Sequence, residues 1–307
     1  MAPIDQTELE WLLDILNKYP RESLRKISKK EGIEYYRLKR TYDKYYGKYV
    51  FVSAVYNIVK LGLKSYVAFL SVPKVELSSR ALELLKNPFV AHITPIFGFK
   101  NGIQAILHIP VEQEKYIPEM LSKYSSDFEF YEVWSRERKE KVKFGKWNYS
   151  YEYAVLMDIL KVDARTPMKE LEILLGKKRP TIKFMINKLI KDGVIVGFYA
   201  YAEHLEPVYD RSFIGIAGDI DINEFLEKFR DIEIKVGVLK PKGYYLEWFF
   251  SSKDDMGSKI LEFSPYVEKL AIGYLDMFRD LNNEHLKTRF SRMVRKDGKG
   301  YRSILEF

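Results

Sequence analysis

Apolar residues recur at helical spacing in the middle of the chain and then give way to an unbroken β-like run. Between Asp163 and Ala200, Met168, Leu171, Leu174 and Leu175 stand three and four positions apart, which predicts one amphipathic helix. Pro167 suits its first turn, where no N–H is needed, and Gly176 suits its end. Lys177 to Arg179 make a turn, and Pro180 opens a second helix whose apolar face is Ile182, Met185, Ile186 and Leu189. Asp192-Gly193 turns the chain again, and "VIVGFYAYA" reads as a strand because it is β-branched and aromatic. With a further helix over Tyr151 to Lys161 in front, the pattern is a helix-turn-helix.

The same pattern occurs earlier in a cruder form. Sliding the chain by 144 positions puts Gly176 over Gly32, Leu160 over Leu16, Arg165 over Arg21, Leu171 over Ile27, Ile182 over Leu38 and Val194 over Val50, with no gap. "YPRESLRKISKKEGIEYYRLKRTYDKYYGKYV" is therefore read as a first helix-turn-helix. Its alternative is a degenerate winged-helix-like unit kept for packing. The segments that succeed the two units repeat as well. After the first come "KSYVAFLSV", "KVELSSRALELLKN", "FVAHITPIF", "GIQAILHIPV", "EQEKYIPEMLSKY" and "DFEFYEVW". After the second come "SFIGIAGDI", "NEFLEKFR", "IEIKVGVL", "YYLEWFFSS", "DDMGSKILEFS" and "YVEKLAIGYLDMF". Each series spells β-α-β-β-α-β, a ferredoxin-like sandwich.

The predicted fold class is thus α+β: two winged or helix-turn-helix domains alternating with two ferredoxin-like βαββαβ sandwiches. The expected organisation is a first helix-turn-helix domain with its linking strand (1–60), a first sandwich (61–135) and a basic connector (136–149). A second helix-turn-helix domain with linking strand (150–203), a second sandwich (204–278) and a basic C-terminal tail (279–307) complete it. The length of 307 residues, 47% hydrophobic with 15% aromatic, suffices for several small cores. No run of about 18 uncharged apolar residues and no signal-peptide pattern is present, so no membrane association and a cytoplasmic location are expected. The absence of cysteine excludes disulfides, thiolate catalysis and zinc fingers. High Lys, Glu, Ile and Tyr without Cys fits a thermophile.

Charge sharpens the picture once it is divided. Residues 18–48 carry +7 and residues 161–191 carry +6, the stretch 135–149 and the tail 279–307 carry +4 each, and the whole chain is +8, so the remainder is −13. Clustered Lys and Arg supply the sequence-independent part of DNA affinity, and double-stranded DNA is the expected partner. On the second helix of the second unit, Lys178, Arg179, Thr181, Lys183, Asn187 and Lys188 fall between the apolar positions. Such groups hydrogen-bond phosphates and base edges when the helix lies in a major groove. The equivalent helix of the first unit offers Tyr35, Tyr36, Arg37, Lys39 and Arg40. Lys141 and Lys143 in the connector, and Arg289, Arg292 and Arg295 in the tail, are candidates for backbone contacts. The tail's alternative is a solvated basic helix ending in a turn at Asp297-Gly298.

The order "ILKVDARTPMKEL…G…TIKFMINKLIKDGVIVGFYA" resembles the DNA-binding domain of the Lrp/AsnC, or feast/famine, regulators, here in tandem. Asp163, Ala164, Arg165, Leu171, Gly176, Thr181, Gly193, Val194, Ile195 and Gly197 match the family pattern, while Lys177, Lys178 and Met185 depart from it. The resemblance covers about residues 6 to 278 and implies a sequence-specific transcriptional regulator that binds as a dimer. A single chain with two units is then expected to act as a covalent pseudo-dimer, or else to pair with a second chain as a homodimer. The family's sandwich mediates dimerisation and binds amino-acid effectors through an acid-bearing turn. The corresponding turns here, "FGFKNG" and "LKPKGYY", lack the acid, so a different effector or none is expected.

Catalytic motifs are missing: no phosphate-binding G-x-x-x-x-G-K-[ST], no H-E-x-x-H, no G-x-S-x-G and no histidine pair at metal-ligand spacing. The expectation from sequence is a protein that is not an enzyme, without cofactor or metal. One alternative is a sirohaem-decarboxylase-like enzyme on the same two-domain plan. Those enzymes carry a histidine on the second sandwich strand, where "NPFVAHIT" places His92, but the second half has Val236 at the matching place and the rest of their motif is absent. Another is an architectural or recruiting protein that contacts the transcription machinery.

Overall fold

Each half of the chain builds a three-helix unit, a linking strand and a four-stranded sheet with two helices on its outer face. The computed structural model describes residues 5–136, 143–203 and 209–307. In the first half, helices α1 (Gln6–Lys18), α2 (Leu24–Glu31) and α3 (Tyr35–Tyr45) precede linking strand β1 (Val50–Tyr56). The sandwich elements are next, as β2 (Leu63–Ser71), α4 (Leu77–Leu85), β3 (Val90–Gly98), β4 (Gly102–Pro110), α5 (Ile117–Ser122) and β5 (Phe128–Ser135). In the second half the helices are α6 (Tyr151–Val162), α7 (Met168–Leu175) and α8 (Arg179–Lys191), and the linking strand is β6 (Ile195–Ala202). Strand β7 (Arg211–Ala217), α9 (Ile222–Lys228), β8 (Ile234–Lys240), β9 (Tyr244–Phe250), α10 (Met256–Phe263) and β10 (Lys269–Tyr274) then complete its sandwich. Two short helices close the chain, α11 (Arg279–Leu286) and α12 (Arg289–Met293).

Local chemistry explains the helix-turn-helix units. The Asp5 carboxylate accepts the Glu8 N–H at 3.2 Å and starts α1. Gly32 and Gly176 end α2 and α7 at φ 65° and 61°, a left-handed conformation in which a side chain would be strained. The apolar face anticipated for α8 is the buried one, Ile182, Met185, Ile186 and Leu189.

The two units are interlocked. Strands β1 and β6 pair antiparallel, and Ala54 faces Phe198, 144 positions further along the chain. The ribbon is therefore centred on residues that correspond between the halves. Each linking strand then packs on the first helix of the opposite half. Asn17 on α1 exchanges both its amide groups with the Ala200 backbone at 2.9 and 3.3 Å. Ser53 and Tyr56 on β1 donate to the carbonyls of Lys161 and Met157 on α6 at 2.6 and 2.9 Å. Two arginines at corresponding positions complete the exchange. Arg21 donates to the Ala164 carbonyl at 2.6 Å, and Arg165 donates to the carbonyls of Tyr19, Pro20 and Glu22 at 3.2, 2.8 and 2.8 Å. The Arg165 guanidinium also lies over the Tyr42 ring at 5.2 Å.

The sandwiches fuse in the same reciprocal way. The eight strands form a closed barrel in the order β10-β3-β4-β2-β5-β8-β9-β7. The seams are β5 with β8 and β10 with β3, so each half's last strand joins the other half's second. Closure removes the exposed sheet edges that would otherwise invite pairing with other chains. Val67, Phe69, Ile96, Ile214, Ile216, Leu239 and Ala271 fill the space between the sheets. The helices cover separate outer cores, one around Phe89, Leu107 and Met120 and one around Phe213, Trp248 and Phe263.

The C-terminal tail corrects the reading of a phosphate-tracking segment. Helices α11 and α12 dock on β3 and α6, and Phe290, Met293, Val294 and Ile304 are buried in a core that the first sandwich shares with the second helical unit. Asp158 on α6 accepts the N–H groups of Phe290 and Ser291 at 2.6 and 2.8 Å, which fixes the start of α12. Arg289 is buried, donating to the Pro88 carbonyl at 3.0 Å and to His108 Nδ1 at 2.9 Å, so it is not on a surface that phosphate can reach. Arg292 is half-buried and donates to the Lys86 carbonyl. Arg295 alone of the three tail candidates is exposed, and it pairs with Asp297 at 3.2 Å. The basic residues had masked a packing pattern.

Candidate nucleic-acid interface and barrel mouth

Helix α8 turns its polar residues outward because its other side is committed to the core. Lys178, Arg179, Thr181, Lys183 and Asn187 are all exposed. Lys188 is half-buried, pairing with Asp192 at 2.9 Å and lying over the Tyr149 ring at 5.5 Å. It therefore serves the end of α8 more than its outward face. The backbone N–H of Arg179 donates to Glu172 at 2.8 Å, which joins the start of α8 to α7 and leaves the guanidinium outside.

Helix α3 presents a different surface. Tyr36 is 74% exposed and meets Tyr35 edge to face at 5.5 Å. Arg37 stacks over Trp11 at 5.2 Å and Lys39 pairs with Asp43, while Arg40 is exposed. Several cations of α3 are thus partly engaged within their own unit. Surface pairs of this kind exchange readily in water, so they remain recruitable. In the connector, Lys143 is exposed, whereas Lys141 lies outside the described residues.

A second polar assembly sits between the sheets. Gln104 on β4 donates to the Tyr245 hydroxyl at 2.6 Å, and Tyr245 on β9 donates to Glu247 at 3.1 Å. Ser212 on β7 donates to the other Glu247 oxygen at 3.1 Å. Burial raises the Glu247 pKa, and Lys235 on the neighbouring strand acts against that shift. His92, opposite Ile106 on the inner face, stands toward this end of the barrel. Its ring is reachable by solvent, yet the surrounding walls, and then the Lys235 charge, push its pKa down to about 4. The imidazole is therefore neutral near pH 7. Among the described residues, no group of three or more His, Asp and Glu could hold a metal ion, and no helix is long and apolar enough to cross a membrane.

The candidate recognition helices were legible in the sequence, but Phe184, 62% exposed on α8, was missed. Its signal was available: it interrupts the apolar register of that helix. The chain of Gln104, Tyr245, Glu247 and Ser212 had no such signal, because its members come from three strands whose pairing no local pattern specifies.

Helix-turn-helix units joined to paired ferredoxin-like sheets define a known fold class. Two solved structures of the siroheme decarboxylase NirDL share it. One matches with a TM-score of 0.62 at 14% identity, covering 91% of this chain and 98% of that one. The other, in complex with an iron-uroporphyrin III analogue, matches with a TM-score of 0.63 at 14% identity, covering 87% and 90%. A transcriptional regulator from Neisseria meningitidis solved with L-methionine covers 46% of this chain at 16% identity with a TM-score of 0.32. No protein-family model matches the chain, and no curated sequence matches it. The likeness to NirDL carries the α+β fold expected from the sequence. It also overturns one expectation: the absence of catalytic motifs had suggested a protein that is not an enzyme, yet over nine-tenths of the chain the fold is shared with a siroheme decarboxylase.

Proposed function

We propose that the chain binds duplex DNA as a sequence-specific regulator, acting as a covalent pseudo-dimer whose two helix-turn-helix units address two unlike half-sites. The observation that carries this reading is the reciprocal lock between the units. The β1–β6 ribbon and the Arg21 and Arg165 exchange hold α3 and α8 in one arrangement, while the outward residues of both helices stay in solvent. The charge division supports it, since the helical units carry the positive excess. Lys143 lies outside both recognition helices and is suited to phosphate contact. Such a regulator also has the transcription machinery as a partner.

The test is a titration of labelled duplex with the full chain over a salt series. One chain per duplex is expected, with log affinity falling against log salt at a slope of about −4 or steeper, as for several neutralised phosphates. Two chains per duplex would sink the pseudo-dimer, and a flat salt response would sink DNA binding.

A second reading has its own observation, His92, whose imidazole burial and the Lys235 charge keep neutral, in a fold shared with NirDL. On that reading the mouth takes an anionic tetrapyrrole, with Lys235 attracting carboxylates and His92 exchanging a proton. Adding iron-uroporphyrin III should then shift its visible absorption, and Lys235→Ala should weaken the shift. An unchanged spectrum with the native chain would rule the reading out.

A further inference from the structure

We infer that Phe184 and Asn187 read two consecutive A·T pairs in the major groove, Phe184 by covering a thymine 5-methyl group and Asn187 by holding an adenine edge. The inference rests on the DNA-binding reading above and names the bases that one half-site must contain.

The geometry starts from what α8 buries. Ile182, Met185, Ile186 and Leu189 fix the inward direction. At about 100° per residue, Phe184 and Asn187 then point within about 30° of the outward normal, one on each side of it. Thr181 and Lys183 flank them further round. Phe184 is 62% exposed, and a large ring at the centre of a hydrophilic helix face has no structural task there.

Chemistry selects the occupant. The surroundings are cationic and amide-bearing, which suits the edge of a duplex better than another protein's apolar groove. In the major groove only thymine among the common bases carries a methyl group, and a phenyl ring is one of the groups that contacts it. An asparagine amide can donate to N7 and accept from N6 of adenine only with its two atoms matched to that base, which is the bidentate pairing adenine offers. Three residues advance a helix by about 4.5 Å and one base step rises about 3.4 Å, so neighbouring pairs come within reach of the two side chains. The first unit makes the contrast. At the positions 144 earlier stand Arg40 and Asp43, and Asp43 is held by Lys39. The face of α3 therefore has no methyl-covering ring at that place.

The experiment selects sites from a random duplex library with the full chain and then replaces each thymine of the enriched site by deoxyuridine, one at a time. Uracil keeps every hydrogen-bonding group and removes only the methyl. One replacement should weaken binding by the native chain about threefold to tenfold, in line with the burial of one methyl group. With Phe184→Ala that ratio should fall to about one, while the salt slope is unchanged. Asn187→Ala should remove the preference for adenine at the adjacent pair. Equal affinities for thymine and uracil at every position would overturn the inference while leaving DNA binding intact, and so would a ratio that survives in Phe184→Ala. Failure to bind any duplex at low salt would overturn both.

Discussion

Asp158 is the residue where burial and function of the tail meet. It lies in the apolar run of α6 and is almost fully buried, yet it must accept two backbone N–H groups to seat α12. Burial outweighs those hydrogen bonds and raises its pKa to about 6. An unfolded aspartate titrates at ~3.9. The folded state therefore holds the proton more tightly, so the group's contribution to stability is complete below about pH 4 and is lost as the pH climbs through 6. Across that window the stability of the native chain relative to Asp158→Asn should decline by about 3 kcal/mol, measured by urea unfolding at a series of pH values. A difference that does not change with pH would show that the carboxyl binds its proton equally in the folded and unfolded states. The neighbouring Arg289 fits the same environment: it donates to His108 Nδ1, which burial and the guanidinium keep neutral. Neither residue announced itself in the sequence. Arg289 and Arg292 were read as phosphate contacts because charge is visible in a sequence and burial is not.

At the scale of elements, the exchange between the helical units depends on the arginine fork. Arg165 reaches three carbonyls of the opposite unit, whereas Arg21 reaches one. A lysine carries the same charge without the planar set of donors. Arg165→Lys should therefore destabilise the chain by about 1–3 kcal/mol in chemical denaturation, and Arg21→Lys by less. Equal losses, or none, would mean that the charge alone matters at both positions. The elements themselves were legible: Leu171 and Leu175, then Ile182, Met185, Ile186 and Leu189, occur at the spacing that a buried helix face requires. The sandwich order β-α-β-β-α-β was legible for the same reason. Their partners were not. Pairing of β1 with β6, β5 with β8 and β10 with β3 joins residues far apart in the chain, and the shared offset between the halves was the only hint that they would meet. Phe184 lies off the apolar register of α8, between Ile182 and Met185, so its outward place was legible in the spacing although its ring stands beside Met185 and Ile186.

The whole molecule differs from an ordinary symmetric pair in that its halves share a backbone. Equivalent positions on α8 and α3 hold Phe184 and Arg40, and Asn187 and Asp43, so under the DNA-binding function proposed above an operator would have unlike ends and a fixed polarity. Dilution cannot separate the halves, because the barrel and the ribbon are closed within one chain. The interlock also sets an order of events during synthesis. When α1 to α3 leave the ribosome, the strand that packs on α1 and the arginine that caps the loop after it have not been made. They emerge about 144 residues later, on the order of 7–30 s at ordinary elongation rates. Throughout that delay β1 has no ladder partner, and β3 and β5, once made, present open edges until β8 and β10 follow later still. The N-terminal half must wait as an incomplete nascent domain, and its maturation is timed by translation of its own C-terminal half.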